Sequence, residues 1–72
     1  MPETPALHTM IRSARLSAGL SQAQMAEQMR LSQGYISQLE NGYRTPSLRV
    51  LRLAAQTTGV NLARLIDAQD AV

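Results

Sequence analysis

Residues 21–42 read SQAQMAEQMRLSQGYISQLENG, and this stretch predicts two short helices joined by a tight turn. Ser21 and Gln24 form a capping box, in which the serine oxygen accepts one free backbone N–H and the glutamine accepts the N–H of the cap itself. Ser32 can cap the following helix, and the Asn-Gly pair at 41–42 is a strong signal for its end. The predicted helices span residues 22–29 and 33–40.

Similar signals recur along the rest of the chain, whereas strand-like alternation of apolar and polar residues is absent. The Thr-Pro pairs at 4–5 and 45–46 each supply a cap followed by proline, which leaves no N–H unpaired at the first helical position. Gly19 and Gly59 can adopt the left-handed conformation that ends a helix, and Asn61 can cap a last one. These signals add a helix over 5–18, a helix that follows 45–46 and runs to 57 or 58, and a helix over 62–68.

The sequence therefore predicts an all-α domain of five helices over residues 5–68, between a flexible N-terminus at 1–4 and a short C-terminal tail at 69–72. Apolar residues make up 44% and charged residues 17%, which is typical of a folded chain rather than a disordered one. No apolar stretch approaches the roughly 18 residues that span a bilayer. The first residues also lack the features of a signal peptide, so we expect a cytoplasmic protein without a membrane contact.

Neither a metal site nor a catalytic site is predicted. The chain has no cysteine and one histidine, His8, which we expect at the surface. A glycine-rich phosphate loop and paired carboxylates are also absent from the sequence, so no nucleophile and base can be assembled. We reject an enzyme, and we expect no cofactor and no small-molecule ligand.

Positive charge is clustered in the middle of the chain. The net charge is only +2, but residues 30–52 carry four arginines and a single acid, Glu40. Such a cluster is an electrostatic footprint of nucleic-acid binding, although a solvated basic face explains it equally well.

The two helices of the opening stretch have the pattern of a helix-turn-helix, in which the first helix braces the second at a steep angle. Ala26 provides the small residue where the helices cross. The residues spaced to fill the angle between them are Met25, Met29, Leu31, Ile36 and Leu39, and Met10 is also expected in the core. The positions left outside on the second helix are Gln33, Gly34, Tyr35, Ser37 and Gln38. These residues are polar and uncharged, as base edges require.

At these positions the chain resembles the phage repressor and Cro (XRE-like) family of helix-turn-helix domains. The resemblance covers about residues 7–66 and is carried by Gly19-Leu20-Ser21-Gln22, Ala26, Tyr35-Ile36-Ser37-Gln38-Leu39-Glu40-Asn41-Gly42 and Pro46-Ser47-Leu48. It implies a compact lambda-repressor-like fold that binds double-stranded DNA. The implied base contacts are Gln33, Gly34, Ser37 and Gln38. The expected contacts with the DNA backbone are Ser21, Gln22, Ser32, Tyr35, Asn41, Tyr43 and Arg44.

Two residues depart from the family pattern, and the resemblance also implies one ion pair. Arg30 occupies the turn position where the family usually has glycine, so it must adopt an unfavourable positive φ. Thr58 stands where a leucine is usual, which predicts a less well filled corner of the core. Glu40 is an acid near the expected phosphates and needs a cationic partner, and the resemblance places Arg15 there. For an exposed pair, the expected contribution is about 0 to 1 kcal/mol.

The fourth helix has two apolar sides. Leu48, Leu51, Arg52, Ala55 and Thr58 share the side expected to face the core. Val50, Leu53, Ala54 and Thr57 lie on the other side, which is covered either by a partner or by a neighbouring helix. A dimer patch is expected among Leu53, Thr57, Val60, Leu62, Leu65 and Ile66. Some of these residues must close the core, and we expect Leu62 and either Leu65 or Ile66 to divide the two roles, one in the core and one at the interface.

The leading hypothesis is a sequence-specific transcriptional regulator, more specifically a repressor that binds a palindromic operator as a homodimer. The alternative is a protein-interaction module of the same fold, such as an antitoxin or a coactivator adaptor. A control protein of a restriction-modification operon is a subclass of the first hypothesis and is not separable from it by sequence.

Overall fold

The computed structural model describes residues 6–70, and within this range it contains five helices and no strand. The helices are α1 (Leu7–Ser17), α2 (Gln22–Met29), α3 (Gln33–Glu40), α4 (Leu48–Thr58) and α5 (Leu62–Asp70). The predicted all-α class is confirmed, and α2 and α3 have the predicted bounds. Both predicted caps are formed, since the Ser21 hydroxyl accepts from the backbone N–H of Gln24 and the Ser32 hydroxyl from that of Tyr35.

Three helix ends differ from the prediction. Helix α1 begins at Leu7 after Ala6, which has no capping side chain, and the predicted cap at 4–5 lies outside the described residues. Helix α4 is capped by Ser47 rather than by Thr45, because the Ser47 hydroxyl is placed to accept from the N–H of Val50. Helix α5 continues through the first two residues of the predicted tail, 69 and 70. The Gln69 amide donates to the carbonyl of Pro46 at 3.1 Å and so anchors this last turn.

Helices α1, α2 and α3 end in the same way, with one residue in the left-handed conformation. After α1 this residue is Gly19 and after α3 it is Gly42, with φ of 74° and 77°. After α2 it is Arg30, with φ of 58°, as the sequence predicts. The backbone N–H of Arg30 donates to Glu27 and that of Leu31 to Ala26, which is the paired hydrogen-bond pattern of a Schellman motif. The turn between α2 and α3 is therefore formed despite the arginine.

The core receives side chains from all five helices. Its fully buried members are Ile11, Met25, Ile36, Leu39, Leu51 and Leu65. Ala26 and Met29 are also buried as predicted, whereas Met10 and Leu31 are half-buried against this core. His8 is exposed, as expected. None of the helices within residues 6–70 is long and apolar enough to cross a membrane.

The predicted core side of α4 is wrong in part. Leu48 and Arg52 are exposed, whereas Val50 and Ala54 are buried with Leu51. The helix packs against α1, α2 and α5, so neighbouring helices of the same chain cover much of its second side.

A groove of about 540 Å³ lies at the corner where α1 meets the end of α4, and Met10, Thr58 and Val60 are among its lining residues. The Thr58 hydroxyl donates to the carbonyl of Ala54 at 2.7 Å instead of filling this space. This groove is open to solvent, so the less well filled core corner expected at Thr58 stays a prediction.

The strain at Arg30 generates a testable prediction. A residue with a β-carbon costs roughly 1 to 2 kcal/mol in the left-handed region, and glycine removes this cost but loses more backbone entropy on folding. We expect Arg30→Gly to raise the free energy of unfolding by about 0.5 to 1 kcal/mol in urea titrations. Arg30→Ala is the matched control, since it removes the same charge and keeps the β-carbon. Equal stability of the two variants would contradict the strain at this position.

Candidate nucleic-acid interface

Helix α3 separates a buried side from a polar outer side. Ile36 and Leu39 are fully enclosed in the core. The outer side carries Gln33, Gly34 and Gln38, which are exposed, and Tyr35 and Ser37, which are half-buried. The structure therefore brings all the sequence-predicted base-contacting residues to one surface. Since this surface has no charged residue of α3 itself, its hydrogen-bonding groups are suited to base edges rather than to phosphates alone.

A buried ion pair joins α1 to the end of α3. Arg15 donates from Nε to Glu40 Oε2 at 2.7 Å and from Nη2 to Oε1 at 3.0 Å, and the two side chains are only 9% and 2% exposed. The hydrogen bonds to Glu40 raise the pKa of Arg15 above its ordinary value, against the opposing effect of burial. The predicted pairing is formed, but the expectation of an exposed pair is wrong. Its energetics are those of a buried pair, in which the loss of one partner leaves a charge without compensation.

Two further hydrogen bonds extend this pair to α2. Arg15 Nη1 donates to the carbonyl of Leu20 in the α1–α2 turn at 2.9 Å. Gln22, the first residue of α2, donates from Nε2 to Glu40 Oε1 at 3.2 Å. Gln22 is half-buried, and one of its amide hydrogens is committed to Glu40. The other hydrogen is the group of this side chain that can donate to a phosphate.

The predicted backbone-contacting serines both serve as helix caps. The Ser21 side chain accepts from Gln24 at 3.0 Å, and the Gln24 side chain accepts from the N–H of Ser21 at 2.8 Å. The Ser32 hydroxyl accepts from Tyr35 at 3.0 Å. Each hydroxyl keeps its own hydrogen for an external acceptor, because capping uses only the oxygen lone pair.

The α3–α4 loop returns to the outer side of α3. Arg44 donates from Nε to Gln38 Oε1 at 2.9 Å, and its guanidinium lies over the Tyr35 ring, 4.7 Å from the centroid. Asn41 donates to the backbone carbonyl of Ser37 at 2.9 Å. Tyr43, in contrast, is 84% exposed. Sequence reasoning placed Arg44 and Gln38 in separate roles and missed their contact, because helical periodicity says nothing about the path of the loop side chain.

A family model for the helix-turn-helix matches residues 11–65. The chain belongs to this family. It is the XRE type that the sequence resembles, and the helix-turn-helix consists of α2 and α3, as predicted. Among solved structures, the chain is similar to the clp gene regulator ClgR from C. glutamicum, with a TM-score of 0.78 and 30% sequence identity. That match covers 89% of this chain and 83% of the other. No curated protein matches the sequence at a significant level.

Membership of this family identifies the chain as a helix-turn-helix DNA-binding transcriptional regulator, a class that is typically non-enzymatic. The outer side of α3 is the predicted recognition surface. DNA contacts by its individual residues remain predictions.

The expected dimer patch needs one correction. Leu65 is fully buried within its own chain and is unable to contact a partner. The remaining candidates are all half-buried: Leu53, Thr57, Val60, Leu62 and Ile66. All of them except Thr57 are apolar side chains that pack partly on the core. More exposed apolar side chains lie elsewhere, at Leu16 and Leu48, which are 57% and 48% exposed.

The buried pair gives a prediction about stability. Arg15→Met leaves the Glu40 carboxylate buried beside a single amide donor, so we expect a loss of about 3 to 5 kcal/mol in the free energy of unfolding. The double variant Arg15→Met/Glu40→Leu removes both charges and should recover much of this loss. Urea unfolding of both variants measures the difference. A loss below about 1 kcal/mol in the single variant would show that the pair acts as an exposed one.

Proposed function

We propose that this helix-turn-helix protein is a sequence-specific repressor that binds a palindromic double-stranded operator as a homodimer, with α3 in the major groove. The observation that carries the proposal is the polar, uncharged outer side of α3, which stands beside a loop that carries Arg44. Occupation of the operator is itself sufficient to block a promoter, which makes repression the simplest regulatory outcome.

Gln33 is the strongest candidate for direct base reading. It is exposed, and its side chain makes no hydrogen bond to the rest of residues 6–70. A free glutamine amide can donate to N7 and accept from N6 of adenine in a bidentate pair. Ser37 can contact either kind of base edge. At Gly34 the nearest heavy atom to an added β-carbon is 4.0 Å away, so the missing side chain leaves open space in which a base edge can approach the backbone.

The DNA backbone would be held on both sides of this recognition helix. Ser21 and Gln22 lie at the start of α2, and Ser32 and Tyr35 lie in the first turn of α3. After α3 come Asn41, Tyr43 and Arg44, all exposed. Hydroxyl, amide and guanidinium groups on both flanks of α3 would fix the register of the helix in the groove.

Dimerisation follows from the size of the recognition element. Helix α3 has eight residues, a length of about 12 Å at 1.5 Å per residue, and therefore covers only a few base pairs. Two copies related by a twofold axis read half-sites about 34 Å apart and multiply their discrimination. The proposed contact surface consists of half-buried residues on α4, α5 and the turn between them, without Leu65: Leu53, Thr57, Val60, Leu62 and Ile66.

The alternative of a protein-interaction module required an uncovered apolar side of α4. Val50 and Ala54 of that side are buried within the chain, so only the half-buried Leu53 and Thr57 are left for a partner, and the feature that favours this alternative is reduced.

Replacement of Gln33 tests base reading. On the best duplex selected from a random pool, Gln33→Ala should weaken binding by about 1 to 3 kcal/mol, whereas binding to random duplexes should be unchanged. Gln56→Ala is the control, because Gln56 is an exposed glutamine on α4 and should affect neither measurement. Fluorescence titrations give both affinities. Equal losses on selected and random DNA would remove Gln33 from the base contacts.

Charge insertion tests the dimer. Ile66→Glu, and separately Leu53→Glu, should yield a folded monomer with weakened operator binding for whichever position is interfacial, because burying a carboxylate at an interface is unfavourable. Ala63→Glu places the same charge at an exposed position of α5 and serves as the control. Sedimentation gives the mass, and circular dichroism confirms folding. A wild-type monomer above the concentrations that saturate DNA, with one chain bound per site, would refute the homodimer.

A further inference from the structure

Arg44 contacts two side chains of the recognition helix at once. Its Nε donates to Gln38 Oε1 at 2.9 Å, and its guanidinium carbon lies 4.7 Å from the centroid of the Tyr35 ring. Tyr35 and Gln38 are three residues apart on α3 and therefore share one side of the helix. Arg44, which is expected to contact the DNA backbone, is thus hydrogen-bonded to Gln38, which is expected to contact a base.

The backbone of the loop determines the position of Arg44. The N–H of Tyr43 donates to the carbonyl of Gln38 at 2.9 Å, and the N–H of Gly42 donates to that of Leu39 at 3.3 Å. This Schellman motif, with Gly42 at φ of 77°, turns the chain back over the last turns of α3. The planar guanidinium can stack on an aromatic face while one N–H donates in its plane, which the ammonium group of lysine cannot reproduce.

The hydrogen bond fixes the orientation of the Gln38 amide. An arginine N–H only donates, so the amide oxygen must point towards Arg44 and the amino group must point away from it. A free glutamine can exchange these two ends and adapt to the base it meets. Gln38, in contrast, presents a donor, with a cation beside its only acceptor.

This orientation favours one kind of base. In the major groove guanine presents two acceptors, N7 and O6, whereas adenine presents an acceptor and an amino donor. The amino group of adenine would have to donate to the Gln38 amide oxygen, which lies next to the guanidinium of Arg44. The hydrogens of the amino group and of the guanidinium both carry positive charge and therefore repel each other. Guanine presents only acceptors to the amino group of Gln38 and to the positive charge of Arg44, so it causes no such repulsion.

We infer that Arg44 is a specificity-determining residue that acts through Gln38, orienting its amide so that this position of the operator is read as guanine rather than adenine. The inference rests on the proposed sequence-specific function. Gln38 therefore differs from Gln33, which keeps the proposed bidentate adenine contact because its amide makes no hydrogen bond within residues 6–70.

Selection of duplexes from a random double-stranded pool tests the inference with the full chain. Wild type, Gln38→Ala, Arg44→Ala and the double variant are compared. Arg49→Ala is the matched control because it removes another exposed arginine, one that lies on α4. The base position read by Gln38 is the one whose preference disappears in Gln38→Ala. Relative affinities for guanine and adenine are then measured at that position.

We expect guanine there in the wild type, with discrimination against adenine reduced at least about fivefold in Arg44→Ala. The double variant should show the same loss of preference as Gln38→Ala alone. Arg49→Ala should retain the full wild-type preference. The inference is overturned by adenine at that position in the wild type. It is equally overturned if Arg44→Ala weakens all sequences alike and keeps the preference, or if Gln38→Ala changes no position. A wild-type protein that enriches no sequence would instead overturn the proposed function, and this inference with it.

Discussion

The buried pair between Arg15 and Glu40 is the interaction on which the geometry of this domain depends. It joins the last part of α1 to the final residue of α3, and its additional hydrogen bonds reach the α1–α2 turn and the first residue of α2. Burial makes the pair sensitive to the loss of either member, because the remaining charge would have no compensation. Three of the five helices are therefore fixed relative to one another by a single polar cluster.

This arrangement also makes an acid compatible with the proposed DNA-binding surface. Glu40 is the only acid among the four arginines of residues 30–52, and at the end of the recognition helix it would repel phosphates if it were exposed. The structure encloses it among Arg15 and Gln22 instead. The outer side of α3 then presents neutral hydrogen-bonding groups, with positive charge supplied from the loop by Arg44.

The turn before α3 shows how the tertiary structure compensates for a local preference. Arg30 is the only non-glycine residue with a positive φ among those described, and its left-handed conformation is intrinsically unfavourable. The hydrogen bonds that close α2 and the burial of Met29 on one side and Ile36 on the other require this conformation. A glycine is therefore usual at such a turn but is not needed for its geometry.

The sequence by itself determined the class of fold, the bounds of α2 and α3 and the polar side of the recognition helix. These features depend on interactions within three or four residues, such as the caps at Ser21 and Ser32 and the spacing of Ile36 and Leu39. The tertiary structure decided the cap of α4 at Ser47, the burial of Leu65 and the contact of Arg44 with Gln38. Each of these features depends on which residues from other parts of the chain pack nearby. Local propensity carries no information about such contacts.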